Sequence, residues 1–339
     1  MNPEPSGGIT VEIRLTSEKG FCFGVRRAIE LAENALTSHE SRVKRPESLG
    51  GEGDSRLQTP DFRLLSGRRL ASLGAIVHNR QVIERLMARG MRIIESLDEA
   101  NGDTLLIPSH GVGRQIMSQI DARKLSMIDA TCPIVRNAQE VAHRLHREGF
   151  MVLVFGDASH TEVKGLLSWA GERAMATTRI ESGVWSLESR VPGPDSRLST
   201  LDSGLLKIRR IGVLSQTTQS QTQFAAFLAQ LIDSQLASLS EIYVFNTICD
   251  ATTRRQSAAL QLASEVDLML VIGGHDSANT RRLAEICSST GVRTLHIESA
   301  DELDPPRYYG ASRIGIAGGA STPEWVIEEV ICKVLRCKL

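Results

Sequence analysis

Short apolar runs along this chain end in polar or glycine-rich turns, and each is followed by a stretch in which apolar residues recur at helical spacing. Thr10-Val11-Glu12-Ile13-Arg14-Leu15 precedes Cys22, after which Val25, Ile29, Ala32 and Leu36 keep that spacing. Met127-Ile128 precedes Cys132, followed by Ile134, Ala138, Val141 and Leu145. Ile242-Tyr243-Val244-Phe245 precedes Cys249, followed by Ala259, Leu262 and Val266. Six further junctions share the design. Leu73–Val77 runs into His78-Asn79, Thr104–Ile107 into Ser109-His110-Gly111, and Met151–Phe155 into His160-Thr161-Glu162. Ile211–Leu214 runs into Gln216-Thr217-Thr218, Leu268–Ile272 into Ser277-Ala278-Asn279, and Ile314–Ile316 into Ser321-Thr322-Pro323. Alternation of strand and helix from end to end predicts α/β units built on parallel sheets.

In chain order the junctions sort into three sets. The first carries Cys22, His78 and His110; the second Cys132, His160 and Thr217; the third Cys249, Ser277, Asn279 and Ser321. Internal repetition of this kind predicts three related α/β domains in a pseudo-threefold arrangement. Residues 1–131 form the first, with a flexible insertion at 38–66 rich in charge, Gly, Ser and Pro. Residues 132–246 form the second, with an extended loop at 181–209. Residues 247–339 form the third and end in a C-terminal helix. Ligands of open α/β sheets bind beyond the carboxyl ends of the strands, where all these polar positions fall.

A single cysteine is more often a small buried hydrophobe than a ligand. Three at matched strand-to-helix junctions are different, because packing alone gives no reason for the repetition. At a helix N-terminus a thiol meets unpaired backbone N–H groups, which favours thiolate. Three thiolates brought to one point make a metal site, and the chemistry points to an iron–sulfur cluster. Cys287, Cys332 and Cys337 lie inside helical patterns and keep the packing or surface reading. The junction histidines, with hydroxyl and amide side chains at helix ends, form a cradle suited to phosphate or diphosphate. His39, His143, His146 and His296 read as solvated-face residues; His275 stays open. Glu162, two residues after His160, is either a proton relay or a favourable charge at a helix N-terminus.

Composition narrows the function classes. With 339 residues, 41% hydrophobic, 23% charged and a formal net charge of −1, the chain describes an ordinary globular protein. Near-neutral balance argues against a broad nucleic-acid or anionic-membrane footprint, and 4% aromatic content against stacking platforms. No apolar run approaches a membrane span, and no basic start with an apolar stretch opens the chain. The expected compartment is cytoplasmic, where thiols stay reduced. No phosphate-binding Gly-rich loop with a Lys is present.

The segments Gly20-Phe21-Cys22-Phe23-Gly24-Val25, Val77-His78-Asn79, Ser109-His110-Gly111-Val112, Asp129-Ala130-Thr131-Cys132-Pro133 and His160-Thr161-Glu162-Val163 occur in that order. Gln216-Thr217-Thr218, Asn246-Thr247-Ile248-Cys249, Ser277-Ala278-Asn279-Thr280 and Gly319-Ala320-Ser321-Thr322-Pro323 follow. Together they resemble the 4-hydroxy-3-methylbut-2-enyl diphosphate reductase family over about residues 20 to 335. The resemblance implies three α/β domains around a central 4Fe-4S cluster held by Cys22, Cys132 and Cys249, with one iron open. It implies that His78, His110, His160, Ser277, Asn279 and Ser321 hold the diphosphate, that Glu162 donates protons and that Thr217 positions the substrate hydroxyl. The implied reaction is reductive dehydroxylation of the allylic diphosphate to isopentenyl and dimethylallyl diphosphates, with electrons from a small protein such as ferredoxin or flavodoxin. Two departures stand out: Ala278 replaces the family's usual Ser, and His275-Asp276 replaces a common Lys-Asn pair. Two other classes fit the residues alone. One is an iron–sulfur hydro-lyase on a phosphorylated hydroxy compound; the other is a non-catalytic protein with a sensing cluster or a structural zinc. Zinc fits less well, since a structural zinc takes four closed ligands.

Overall fold

The computed structural model describes residues 11–43, 69–180, 210–304 and 310–336. Strand β1 (Glu12–Leu15) leads through Cys22 into α1 (Phe23–Val43), followed by β2 (Leu70–Leu73), α2 (Arg80–Ala88), β3 (Arg92–Ile94), β4 (Thr104–Ile107), α3 (Arg114–Ala122) and β5 (Met127–Asp129). Then come α4 (Pro133–Arg147), β6 (Met151–Phe155), α5 (Thr161–Ala170), β7 (Ala174–Thr177), β8 (Arg210–Ser215), α6 (Gln221–Gln235) and β9 (Glu241–Phe245). The chain finishes with α7 (Asp250–Ala263), β10 (Leu268–Ile272), α8 (Ala278–Ser289), β11 (Arg293–Ile297), β12 (Arg313–Gly318) and α9 (Glu324–Arg336).

The strands form three four-stranded sheets in the orders β3-β2-β4-β5, β7-β6-β8-β9 and β11-β10-β12-β1. Every pairing is parallel. The three orders are one order repeated, so three related α/β units are present, as the pattern predicts. A parallel sheet is covered on both faces, which is why Leu268-Met269-Leu270-Val271-Ile272 is apolar without alternation and fully buried. In each unit the first two helices cover one face and the third covers the other. Ala138, Val141 and Leu145 of α4 and Val163 and Leu166 of α5 pack with Val152, Val154 and Leu214. Across the same sheet, Phe224, Phe227 and Leu231 of α6 pack with Leu153, Phe155 and Val213.

Sheet membership departs from the sequence division at one place. β1 pairs with β12, Ile13 opposite Ile314 and Leu15 opposite Ile316, so residues 12–15 complete the third sheet and do not belong with 1–131. Local pattern marks Glu12–Leu15 as a strand but carries no information about a partner three hundred residues away in sequence. A second difference lies at Leu73–Val77. The strand stops at Leu73 because Gly74 turns the chain at φ +78, and Ile76 and Val77 enter the core beneath α1 and α2. The expected insertion at 38–66 begins later than its composition suggests, since α1 continues through Val43; residues 44–66 and the loop 181–209 lie outside the described residues.

Deleting residues 1–15 should therefore speed amide exchange along β12 and leave β2, β4 and β5 at parental rates. Hydrogen exchange read by mass spectrometry checks this. Faster exchange in β4 and β5, with β12 unchanged, would return β1 to the first unit.

Candidate active site at the meeting of three units

Each cysteine stands where the chain leaves one sheet and opens the first helix of the next unit. Cys22 comes directly before α1, and Cys132 and Cys249 are the N-caps of α4 and α7. One backbone bond repeats at all three. Cys22 N donates to Ala320 O (3.0 Å), Cys132 N to Ser109 O (2.9 Å) and Cys249 N to Thr217 O (2.9 Å). Each bond ties a helix start to the loop after the previous unit's third strand, so the three thiols arrive at one cavity. Gly24 in the first turn of α1 makes the approach possible: a Cβ there would stand 2.5 Å from Cys132 Sγ. At Cys132 burial outweighs the N–H bonds from Ile134 and Val135 and pushes the thiol above its ordinary pKa. The expected bias toward thiolate is thus overturned there, because desolvation costs the anion more than the helix start returns.

The cavity spans about 720 Å³ of space between atoms, part of it open to solvent. All eleven residues singled out from the sequence line it: Cys22, His78, His110, Cys132, His160, Glu162, Thr217, Cys249, Ser277, Asn279 and Ser321. The histidine rings cluster, with His78 to His110 at 4.2 Å and His78 to His160 at 5.2 Å between centroids. Only His160 caps a helix as expected; its Nδ1 accepts from Glu162 N at 3.2 Å, which leaves the ring proton on Nε2. Asn79, not His78, caps α2, accepting from Val82 N, and His110 sits in a turn before Gly113 opens α3. Burial lowers the pKa of all three histidines, that of His160 to about 4, so they are neutral donors at neutral pH.

The polar atoms facing the cavity fit an anion with many oxygens. His78 Nε2, His160 Nε2 and both amide atoms of Asn279 are buried without a hydrogen-bond partner. Leaving such groups unpaired costs about 1–3 kcal/mol each, which marks them as held for a ligand. The thiols fit a multi-iron group better than one ion. Among the described residues, the trio whose ligand atoms all lie within 4.8 Å is His275, Glu298 and Glu302, so the three sulfurs stand wider apart as a set. Thiolates about 2.3 Å from a single tetrahedral zinc would be roughly 3.8 Å apart.

Glu162, the second residue of α5, is 1% exposed. Its carboxylate accepts from Thr217 N (2.7 Å) and Thr217 Oγ1 (2.9 Å), so it is no solvated helix-end charge. Burial nevertheless wins over these two bonds and raises its pKa to about 7. Sequence reading missed Arg255, which is 4% exposed and donates to Glu18 O, Gly20 O and Gly318 O, fixing the loop before Cys22. A signal was present: the sixth residue after each cysteine is Ala28, Ala138 and Arg255, one cation among two core alanines. Other expectations shift as well. His296 is half-buried with a ring nitrogen 2.9 Å from Gly273 O, and His275 pairs with Glu302 at 2.9 Å. Cys287 is buried and Cys332 exposed, away from the cavity; Cys337 lies outside the described residues. No helix among the described residues is long and apolar enough to cross a membrane.

The Glu162 shift predicts a pH effect of definite sign. Unfolded, the group titrates near 4.5; folded, near 7, so the folded state keeps a proton that the unfolded chain releases between those values. The stability it contributes is present below pH 4.5 and lost as pH rises to 7. In cofactor-free protein, the difference in urea midpoint between parent and Glu162→Gln should fall across that window. A flat difference would show an ordinary carboxyl.

Comparison with known proteins places this geometry. The family model "LytB protein" matches residues 62–335. The 4-hydroxy-3-methylbut-2-enyl diphosphate reductase of Dehalococcoides mccartyi strain CBDB1 is 40% identical over 320 residues, covering 94% of this chain and 96% of that protein. The reductase of Geobacter sulfurreducens is 39% identical over 324 residues, covering 96% of this chain and 97% of that protein. A solved (E)-4-hydroxy-3-methyl-but-2-enyl diphosphate reductase superposes with TM-score 0.58 at 33% identity, covering 96% of this chain and all of that one. The enzyme from Plasmodium falciparum, at 24% identity and TM-score 0.74, covers 95% of this chain and 87% of its own and shares the fold. This chain belongs to the LytB protein family.

Proposed function

We propose that this protein is a 4-hydroxy-3-methylbut-2-enyl diphosphate reductase. The observation that carries the reading is a single cavity faced by three thiols from three units, by buried histidine and asparagine groups lacking partners, and by a carboxyl with its pKa near 7. The net reaction takes two electrons and two protons; the allylic C–O bond breaks, the hydroxyl leaves as water, and isopentenyl and dimethylallyl diphosphates form. A 4Fe-4S cluster held by Cys22, Cys132 and Cys249 would supply the electrons and one coordination position free of protein.

This chain's own residues do the rest. Neutral His78, His110 and His160 donate ring N–H groups to the diphosphate, joined by Asn279, Ser277 and Ser321. The N-terminus of α8 adds backbone N–H groups, and Ala278, where the family usually has Ser, leaves only its N–H there. Glu162 is near half-protonated at neutral pH, the condition in which an acid can both hold and release a proton. It gives that proton to the departing hydroxyl oxygen. Thr217 sets the angle of the carboxyl through two bonds and presents its hydroxyl to the substrate's own. The two electrons come from a small electron-transfer protein such as ferredoxin or flavodoxin.

Anaerobic assay with the allylic diphosphate and a low-potential reductant tests the reading. Parent protein should form both five-carbon diphosphates only when reductant is present; turnover without reductant would instead indicate a hydro-lyase. Replacing Cys22, Cys132 or Cys249 with Ser should lower bound iron, whereas Cys287→Ser should not. Iron unchanged in all three would remove the cluster assignment, and a colourless zinc protein would do the same. Glu162→Gln should cut turnover by about 10²–10⁴-fold with iron retained. Turnover within a few-fold of the parent would leave Glu162 no role as the acid.

A further inference from the structure

The residues lining the cavity include no lysine and no arginine. Its histidines are neutral at neutral pH, and the carboxyl of Glu162 shares the same space. Two more acids outside the lining act on the histidines: Asp276 on His78, and Asp157, three residues before His160, on His160. A diphosphate ester entering this site brings several negative charges against a lining with no formal positive charge of its own, the nearby Arg255 being committed to three backbone carbonyls. Hydrogen-bond donors and helix dipoles relieve part of that cost, but a dipole end is equivalent to only about half a charge.

Two cations act on the histidines, Lys164 on His160 alone and Arg281 on both His78 and His160, and Arg281 is the better placed to supply the difference. Arg281 is the fourth residue of α8, on the helix whose cap Ser277 and second residue Asn279 line the cavity. Its charge is felt at both His78 and His160. Its Nη2 stands 3.8 Å from Asp157 Oδ2, longer than a hydrogen bond, and both side chains are nearly half exposed. Asp157 is meanwhile satisfied by Ser159 N (2.9 Å) and Ser159 Oγ (2.6 Å), so it does not depend on the arginine. The pair joins the β6–α5 loop of the second unit to α8 of the third, spanning the rim. The next residue, Arg282, is by contrast committed to Gln219 Oε1 (2.8 Å) and Glu285 Oε2 (2.6 Å).

The geometry points to Arg281 as a positioning residue for the diphosphate, loosely parked on Asp157 and exchanging that carboxylate for phosphate oxygens when the anion arrives. Arginine matches phosphate through paired N–H bonds, whereas its present contact is a single long one. Asp157 then acts as a competitor that keeps the arginine at the rim of the free site. This inference rests on the proposed diphosphate cradle.

Calorimetry with inorganic diphosphate, and KM for the allylic diphosphate, both on iron-loaded protein, separate the two ideas. Arg281→Gln should weaken affinity about tenfold and flatten its dependence on salt, with kcat little changed, while Arg281→Lys recovers part of the loss. Asp157→Asn should act in the opposite direction, tightening affinity a few-fold, because it frees the arginine. A pair serving only as a strut between units would give losses of the same sign in both variants, and that result overturns the inference. His110→Ala is the control for the cradle. If it weakens binding while Arg281→Gln does not, the cradle stands and the role of Arg281 falls. If neither variant weakens binding, the cradle itself is wrong and the role of Arg281 falls with it.

Discussion

Everything about this site depends on three backbone hydrogen bonds, from the N–H groups of Cys22, Cys132 and Cys249 to the carbonyls of Ala320, Ser109 and Thr217. Each cysteine lies where its unit hands the chain to the next, and the bond fixes that point against the earlier unit's loop. Because the acceptor belongs to the earlier unit and the helix that follows belongs to the later one, the three bonds close a ring. β1 completes the ring: by pairing with β12 it makes the third sheet equivalent to the others and delivers Cys22 as the counterpart of Cys132 and Cys249. Without that strand Cys22 would have no sheet behind it.

Burial sets the chemistry inside the ring. The same desolvation that raises the Cys132 thiol and carries the Glu162 carboxyl to about 7 keeps His110 and its neighbours uncharged. An uncharged histidine donates a hydrogen bond without adding a charge that would hold the product as firmly as the substrate. A carboxyl near 7 changes protonation state at neutral pH with little driving force in either direction. Metal binding at the cysteines works against the same burial, since thiolate is the ligand and the protein alone favours thiol at Cys132.

How far the chain could be read without coordinates follows from how local each signal is. The cysteines, His160, Glu162 and the hydroxyl positions of Thr217 and Ser321 sit beside strand ends and helix starts, which hydrophobic period marks well. The Gly74 turn defeats the same reading, since Ile76 and Val77 look like the rest of a strand while packing in a different place. The partner of β1 is a question of topology, and four residues cannot encode it alone. Sequence alone holds Glu162 between two readings because a carboxyl at a helix start looks the same whether it faces water or, as here, the backbone of Thr217. Arg255 and Arg281 carry no junction signal of their own, although the comparison of equivalent positions singles out the first.

The three units share a frame, and the site owes its chemistry to where they stop being alike. The second residue of the second helix in each unit is Gln81, Glu162 and Asn279. All three occupy one structural position, yet only a carboxyl can carry a proton, and only Glu162 meets the Thr217 hydroxyl. The caps two residues earlier are Asn79, His160 and Ser277, each accepting from a helix N–H through its side chain; His160 is the one of the three that brings a ring N–H, and that group is buried without a partner. A symmetric frame therefore brings three thiols to a common cavity, where a group needing equivalent ligands can sit, and the unlike residues around it supply both an acid and anion donors. A strictly symmetric site could bind, but it would have no direction along which to remove one particular hydroxyl.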